Sequence, residues 1–260
     1  MNNNLAYPMT RSLYGRRVRN SISGEFGFSG RLARLAGNGG DERGAISLSG
    51  IDLWMTTLAL SNNLSVCQSF VRRPFPYRPQ HNGLGSHRLF REIVRTLFDL
   101  MIRCESFWLK VKWSKPTAVR SNKDVREPVF SPEGPEVALK DLYLEFEQGC
   151  RRNLPLLKSV FSPRVYEQLT EALSEKQDEF GVSTELWAKI LFDTAVAYRD
   201  AKELRGGLVD FLLYAYQGRI HSYLKETRTM SAAQAEMYVE NECAVFEETK
   251  THLVRRWKGE

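Results

Sequence analysis

Apolar residues recur every three to four positions through most of the second half of the chain, which is the spacing of one buried helix face. This pattern predicts five helices, at 136–160, 163–178, 183–203, 206–226 and 231–257. Ser231, followed by Gln234, fits a capping box, and Ser183 is the predicted N-cap of the third helix. Gly206 and Gly207 are interpreted as the break between the third and fourth helices.

The first half of the chain has a less regular pattern. Apolar residues at helical spacing predict one helix over Ser86–Val111, with Ser86 as its N-cap. Residues 1–85 are rich in glycine and are interpreted as irregular and loop-rich. The regular segments expected within them are a helix at Ile51–Leu60 and β-prone pieces at Phe26–Phe28 and Leu64–Val71.

Residues 113–135 are polar and interrupted by prolines, which indicates a linker. The predicted fold class is therefore α+β, predominantly α. The expected organisation is a mixed segment at 1–112, the linker at 113–135 and an α-helical C-terminal domain at 136–260.

The composition is that of an ordinary soluble globular protein, with 42% hydrophobic and 26% charged residues among 260. It argues against disorder, a collagen-like structure and a disulfide scaffold. Ile51–Leu60 is the longest apolar stretch, and it is too short and too polar to span a bilayer. The N-terminus lacks the features of a signal peptide, so a cytoplasmic location without a membrane partner is expected.

Charge is distributed unevenly along the chain. Residues 1–130 hold 20 basic and 9 acidic residues, a balance of +11, whereas 131–260 hold 17 and 22, a balance of −5. The basic half could face phosphates, such as those of a sugar nucleotide, an anionic acceptor or a nucleic acid. A solvated surface explains the same excess equally well.

Candidate binding chemistry is concentrated in the first 54 residues. Gly24 and Glu25 would allow close backbone approach to a ligand and hydrogen bonds to sugar hydroxyls, although glycine turns beside an acid are common. Asp52 either caps a helix or faces a sugar or its acceptor, with Trp54 packing nearby. A third candidate is a group of arginines whose forked side chains suit phosphate or carboxylate, namely Arg11, Arg16, Arg17 and Arg19.

Other chemistries find less support in the residues. No metal-ligand spacing of histidines, nucleophile elbow, P-loop or dinucleotide signature occurs, and the four cysteines form no CxxC pair. His221 and Asp193 lie in apolar helical stretches and are interpreted as hydrogen-bonded core groups. Basic and aromatic residues alternate near Arg72–Arg95, as in a nucleic-acid surface, but no named nucleic-acid motif accompanies them.

Several segments together resemble one family. The runs are Tyr7–Arg19 (YPMTRSLYGRRVR), Ser21–Ser29 (SISGEFGFS), Gly50–Thr57 (GIDLWMTT), Leu186–Ile190, Ala195–Tyr198, Gly218–Ile220 and Glu226–Ser231. Their order and spacing resemble those of prokaryotic family 2-type (GT-A) glycosyltransferases similar to mannosylglycerate synthase. Ser23 stands where the first of two glycines is usual in that family.

The resemblance implies hexosyl transfer from a nucleotide sugar to a small polar acceptor such as glycerate, with a divalent metal, Mg²⁺ or Mn²⁺. It implies that Asp52 is the catalytic carboxylate near the reacting sugar. Gly24 and Glu25 would line the substrate pocket, and we expect Arg17, Arg19 and Trp54 to contribute to substrate binding.

The chain also departs from the family pattern. It begins after the nucleotide-binding half, it contains no Asp-x-Asp metal motif, and Tyr77 stands where a ligand histidine is expected. His81 or His87 would replace that histidine only if the loop shifts. We therefore expect no complete metal site, and weak or no activity of this chain alone.

A missing sheet half would leave apolar edges uncovered, so we expect self-association or a partner chain that carries the donor-binding half. The alternatives are a non-catalytic helical interaction module or remnant and, less favoured, a basic nucleic-acid binder.

Overall fold

The structure, a computed structural model, describes residues 1–22, 26–38, 48–69, 84–120 and 138–260. The chain consists of two compact units, Met1–Phe130 and Ser131–Glu260. Helices predominate in both units and the strands are few and short, which confirms the predicted α+β, predominantly α class.

The described part of the first unit is built from short helices and very short strands. A π-helical turn at Asn2–Ala6 leads into the first α-helix. The helices are α1 (Tyr7–Tyr14), α2 (Gly30–Asn38), α3 (Ile51–Ser61), α4 (Leu84–Arg103) and α5 (Glu105–Trp108). The strands are β1 (Arg16–Arg17), β2 (Cys67–Gln68), β3 (Lys115–Pro116) and β4 (Ala118–Val119).

Helix α1 is the main departure from the loop-rich interpretation of residues 1–85. Pro8 in its first turn favours helix initiation, and Gly15 ends the helix with φ 68°. A Cβ at Gly15 would also lie 2.8 Å from the side chain of Val111. Both the positive φ and this close approach therefore require glycine at this position. All eight residues of α1 are buried, including the polar Thr10, Arg11 and Ser12, so this helix is stabilised by packing on every side.

The strands pair in parallel across long sequence separations. β1 pairs with β3, with Arg16 opposite Lys115, and β2 pairs with β4, with Cys67 opposite Ala118. Residues 115–119, at the start of the predicted linker, thus pair with strands of the first unit. Of the predicted strand pieces, Phe26–Phe28 has no regular structure, and the described part of Leu64–Val71 contains only β2.

The second unit is helical, as its apolar periodicity predicted. Its helices are α6 (Leu139–Val160), α7 (Pro163–Ala172), α8 (Thr184–Asp200), α9 (Arg205–Thr227) and α10 (Ala232–Lys258). Helix α6 packs on α9 and α10 packs on α8. Helices α6 and α9 approach closely at two glycines that have no side chain to separate them. A Cβ at Gly149 would lie 2.0 Å from Tyr214, and one at Gly218 would lie 2.5 Å from Phe146.

The helix ends test the predicted caps. The Ser183 hydroxyl accepts the Leu186 N–H at 3.2 Å, and Ser231 forms a capping box with Gln234, so both caps are confirmed. The prediction of a break at Gly206 and Gly207 is wrong: both lie inside α9, and a 3₁₀ turn at Lys202–Leu204 separates α8 from α9. Tertiary packing can stabilise a helix that contains glycines in its first turn, here directly after a hydrogen-bonded 3₁₀ turn.

Several boundaries also differ from prediction. The single helix predicted over Ser86–Val111 is interrupted at Cys104, so that α4 ends at Arg103 and α5 spans Glu105–Trp108. Helix α4 begins at Leu84, so Ser86 lies inside the helix and is not its N-cap. Helix α7 ends at Ala172, six residues before the predicted end at 178. No helix in the described ranges is both long and apolar enough to cross a membrane.

Candidate functional site

Two guanidinium groups of the first unit converge on one hydroxyl. The Nε atoms of Arg11 and Arg17 donate to the Ser114 Oγ at 3.1 Å and 3.2 Å. Arg11 lies in the last turn of α1 and is 3% exposed, while half-buried Arg17 lies in β1. Two guanidinium groups at one hydroxyl form a set of N–H donors of the kind that recognises an anion or a strong hydrogen-bond acceptor.

Arg19 belongs to the same cluster. Its guanidinium carbon lies 5.1 Å from the centroid of the Tyr7 ring, and that of Arg11 lies 5.9 Å from the same centroid. The Gln68 side chain fixes the backbone here, since its Nε2 donates to the Arg17 carbonyl and its Oε1 accepts the Arg19 N–H. The structure therefore brings Arg17 and Arg19 together with Arg11. We call Arg11, Arg17, Arg19, Tyr7 and Ser114 the arginine cluster.

Asp52 lies in the first turn of α3, where the positive end of the helix favours a carboxylate. The N-cap is Gly50, and no side chain caps this helix, so the capping interpretation of Asp52 is wrong. A Cβ at Gly50 would lie 2.2 Å from the Thr96 Oγ1, which fixes the start of α3 against α4. The close approach of α3 to α4 therefore fixes the helix turn that carries Asp52.

Partial burial raises the pKa of the Asp52 carboxyl above its ordinary value. Within the described residues, no hydrogen bond or ion pair joins Asp52 to Arg17 or Arg19.

Trp54 is a core residue with 6% exposure. Residues two apart on a helix do not share a face, so Trp54 does not stand beside Asp52. Its predicted contact with substrate finds no support in this placement.

Four of the residues named from the sequence, Gly24, Glu25, Tyr77 and His81, lie outside the described residues. Among those described, no group of three His, Cys, Asp or Glu side chains could hold a metal ion. No described residue is therefore assigned to the divalent metal that the resemblance implies.

The second unit contains a charged cluster that sequence reasoning missed. Asp193 on α8 is fully buried; its Oδ2 accepts the Ser162 N–H at 2.8 Å. Its Oδ1 accepts from the His252 Nε2 at 2.7 Å and from the Arg256 Nε at 3.2 Å. The prediction that Asp193 is a hydrogen-bonded core group is confirmed, but its partners on α10 left no signal in the sequence because they lie 59 and 63 positions away.

Burial alone raises the pKa of Asp193, but the hydrogen bonds from His252 and Ser162 and the nearby charge of Arg256 outweigh it. The pKa therefore lies below its ordinary value, and the carboxylate is ionised. An ionised carboxylate only accepts hydrogen bonds, so the His252 Nε2 carries the shared proton.

His221 does not match its interpretation as a hydrogen-bonded group. It is 2% exposed, its ring lies 5.1 Å from that of Phe180, and its Nδ1 has no partner within the described structure. Burial lowers the pKa of this imidazole, so the neutral form is favoured.

Neither the models of known protein families nor the curated protein sequences contain a match to this chain. The resemblance to family 2-type glycosyltransferases therefore stays a prediction that is based on the residues alone.

Proposed function

We propose that this chain is the acceptor side and helical C-terminal part of a glycosyltransferase. The reaction would be transfer of a hexosyl group from a nucleotide sugar to a small polar acceptor such as glycerate. The observation that carries the proposal is the arginine cluster, because four of its five residues belong to the Tyr7–Arg19 segment, one of the segments whose order and spacing carry the resemblance.

The chemistry of the cluster suits an anionic acceptor. A guanidinium group presents a planar fork of donors that matches a carboxylate or a phosphate, and it keeps its charge at any physiological pH. Strand β1 pairs in parallel with β3, so that Arg17 lies opposite Pro116, two residues after Ser114. The guanidinium group of Arg17 is therefore carried by a paired strand and not by a free loop. A rigid donor reduces the ordering entropy that an acceptor must overcome on binding.

In this proposal Asp52 accepts a hydrogen bond from the attacking hydroxyl of the acceptor. Its raised pKa increases its proton affinity, which favours removal of the hydroxyl proton as the new glycosidic bond forms, the bond from the sugar to the phosphate oxygen breaks and the nucleotide phosphate leaves. We expect Asp52→Asn to abolish transfer by the assembled enzyme while leaving acceptor binding nearly unchanged.

The test is binding of glycerate to the purified chain by isothermal titration calorimetry. Arg17→Gln should weaken binding about tenfold, since one charge-assisted contact is lost. Arg16→Gln is the matched control, because Arg16 is the exposed neighbour in the same strand. Equal affinities for the two variants, or no binding of glycerate by the unaltered chain, would contradict the proposal.

A second measurement addresses turnover. The chain is incubated with nucleotide sugars, Mg²⁺ or Mn²⁺, and glycerate, and mass spectrometry detects any hexosyl product. We expect little or no product from this chain alone. Steady turnover would refute the expectation that a donor-binding half must be supplied.

A second candidate function, an interaction module for such a partner chain, is favoured by exposed apolar side chains. Within the described residues, the first unit exposes five large ones, namely Phe26, Phe28, Ile51, Trp113 and Val119, whereas the second exposes Met237. Val119 lies in β4, a two-residue strand whose outer edge is an available template for pairing.

Light scattering over a range of concentrations tests this second candidate. Self-association should be reduced in Trp113→Ser, where the exposed fraction is 65%, and unchanged in the matched control Met237→Ser, where it is 67%. A monomer at every concentration, with no added partner, would count against it.

A further inference from the structure

Two segments of the first unit carry basic residues and no acidic ones. Residues 1–22 and 109–120 together hold eight lysines and arginines and no aspartate or glutamate. Strand pairing brings the segments together, because Arg16 in β1 lies opposite Lys115 in β3, and the Lys115 N–H donates to the Gly15 carbonyl at 3.0 Å. The fold thus gathers positive charges that are far apart in the sequence.

The indole of Trp113 is exposed next to this strand pair. Ser114 turns its hydroxyl toward Arg11 and Arg17, whereas Trp113 and Lys115 on either side of Ser114 are exposed, Trp113 to 65%. A single exposed apolar side chain is ordinary, but an exposed ring among charges of one sign has the composition of a recognition surface.

The cationic side chains nearest to Trp113 in the sequence and across the strand pair are exposed, namely Arg16, Lys110, Lys112 and Lys115. Within the described structure, none of these four side chains makes a hydrogen bond, an ion pair or a ring contact. The nearest acidic residue along this part of the chain is Glu105, five positions before Lys110. We call the four cationic residues and Trp113 the Trp113 surface.

We propose that the Trp113 surface binds single-stranded nucleic acid, with a base stacked on the indole and phosphates paired with the cations. This activity goes beyond the transferase proposal and does not depend on it. The nucleic-acid alternative drawn from the sequence concerned other residues, near Arg72–Arg95, of which 72–83 lie outside the described residues.

Single-stranded nucleic acid offers both of the groups that this surface can bind. Every base has a π-face that stacks on an aromatic side chain, and the phosphates pair with lysine and arginine. Free phosphate or a small carboxylate would use the cations and leave the indole without a partner. A duplex keeps its bases stacked on one another, so a single strand is the better fit.

The backbone that carries the indole is fixed by packing. A Cβ at Gly15 would lie 3.3 Å from the Trp113 carbonyl oxygen and 2.8 Å from the Val111 side chain, so this segment packs closely on the end of α1. A ring on an anchored backbone loses less conformational freedom when a base stacks on it.

An anionic membrane surface is a second class of partner that four cations could attract. Faces that bind membranes present several large apolar side chains side by side, which insert together. Here one indole stands among cations, and Val119, the other large exposed apolar side chain in residues 109–120, lies in β4, which pairs with β2. The composition of the surface therefore favours nucleic acid.

The test is the fluorescence anisotropy of a labelled oligothymidylate of about twelve nucleotides, titrated with the full chain at several salt concentrations. The logarithm of the binding constant should fall against the logarithm of the salt concentration with a slope of about −2 to −3. Each of the three or four phosphates that the cations neutralise contributes about −0.7 to that slope. No binding, or a slope near zero, would overturn the proposal.

Two kinds of variant separate stacking from charge. Trp113→Leu keeps an apolar side chain but removes the π-face, so the affinity should fall about tenfold at an unchanged salt slope. Lys112→Gln and Lys115→Gln should each weaken binding several-fold and make the slope about 0.7 less steep. An unchanged affinity in Trp113→Leu would refute the stacking of a base on the indole.

Matched controls carry the same chemical changes elsewhere. Phe28→Leu removes an aromatic ring that is 58% exposed outside the Trp113 surface, and Lys258→Gln removes an exposed charge of the second unit. Both should bind oligothymidylate within about twofold of the unaltered chain. Equal losses in the test and control variants would overturn the proposal.

Three comparisons identify the partner. A duplex of oligothymidylate with oligoadenylate should bind several-fold more weakly than the single strand, and tighter binding of the duplex would contradict base stacking. Cosedimentation with phosphatidylserine vesicles without binding of oligothymidylate would overturn the proposal in favour of a membrane surface. Arg16→Gln should weaken binding of oligothymidylate several-fold and leave the affinity for glycerate unchanged, so this proposal and the transferase proposal can fail separately.

Discussion

Substitution of Asp193 by asparagine should destabilise the second unit more than any surface change. The carboxylate joins three segments, the start of α7, the middle of α8 and the end of α10, through Ser162, His252 and Arg256. Asparagine has nearly the same shape but carries no charge and replaces one acceptor oxygen by an NH2 donor, so the packing is retained while the charge and one set of hydrogen bonds are lost. The change therefore separates the polar contribution from the volume.

The magnitude follows from the burial of the partners. Breaking a fully buried ion pair costs about 3–5 kcal/mol of unfolding free energy. The Arg256 and His252 side chains are 33% and 22% exposed, so water compensates part of that loss. We expect Asp193→Asn to lower the free energy of unfolding by about 2 kcal/mol.

The assay is urea unfolding followed by far-ultraviolet circular dichroism, with hydrogen exchange of the α7 peptides as a local readout. The control is Asp200→Asn, because Asp200 pairs with Arg199 but is 54% exposed. A surface pair of this kind contributes less than about 1 kcal/mol. An equal loss in the two variants, or unchanged exchange in α7, would refute the reasoning.

The same carboxylate makes stability depend on pH in a defined direction. The pKa of Asp193 is lower in the folded than in the unfolded chain, so the unfolded chain binds the proton more readily. Its contribution is complete above the unfolded pKa of about 3.9 and is lost as the pH falls through the folded value. Asp193→Asn should therefore lose less stability on acidification than the unaltered chain does.

Two further predictions concern buried positions in the second unit. Gly218→Ala should lower the free energy of unfolding by about 1–3 kcal/mol, because the new Cβ would meet the Phe146 ring. The control Gly206→Ala should be neutral or stabilising, because a Cβ there would have no neighbour within 4 Å. Urea unfolding measures both variants, and equal effects would contradict the close approach of α6 and α9. Burial lowers the pKa of Lys250 to about 7, so the unfolded chain binds more protons between that value and about 10.4. Stability should rise with pH across this window, and the rise should disappear in Lys250→Met; a similar rise in that variant would show that another group is responsible.

The sequence alone determined the helices of the second unit. Apolar residues recur there at the helical period, and two of the helices, α8 and α10, also have a local start signal, Ser183 and the Ser231 capping box. Both signals involve only residues that are close in the sequence, so they can be detected from the sequence alone. The same holds for α3, because its apolar run predicts a helix at Ile51–Leu60 and the structure has one at Ile51–Ser61.

The first unit shows where a local reading fails. Helix α1 is buried on every side, and its strand neighbours β1 and β3 are two residues each and almost 100 positions apart. Such elements are stabilised by tertiary contacts rather than by the intrinsic propensity of their residues. They therefore could not be predicted from a glycine-rich sequence segment.

For the candidate sites, the sequence identified the chemistry and the tertiary structure decided the partners. Arg17 and Arg19 were recognisable as anion-binding types, but their meeting with Ser114 and Tyr7 depends on pairing across the first unit. The bond between Asp193 and His252 joins residues 59 positions apart, and it forms only once α8 and α10 are packed. Residue type fixes what a group can bond to, whereas only the folded chain fixes which groups come within bonding distance.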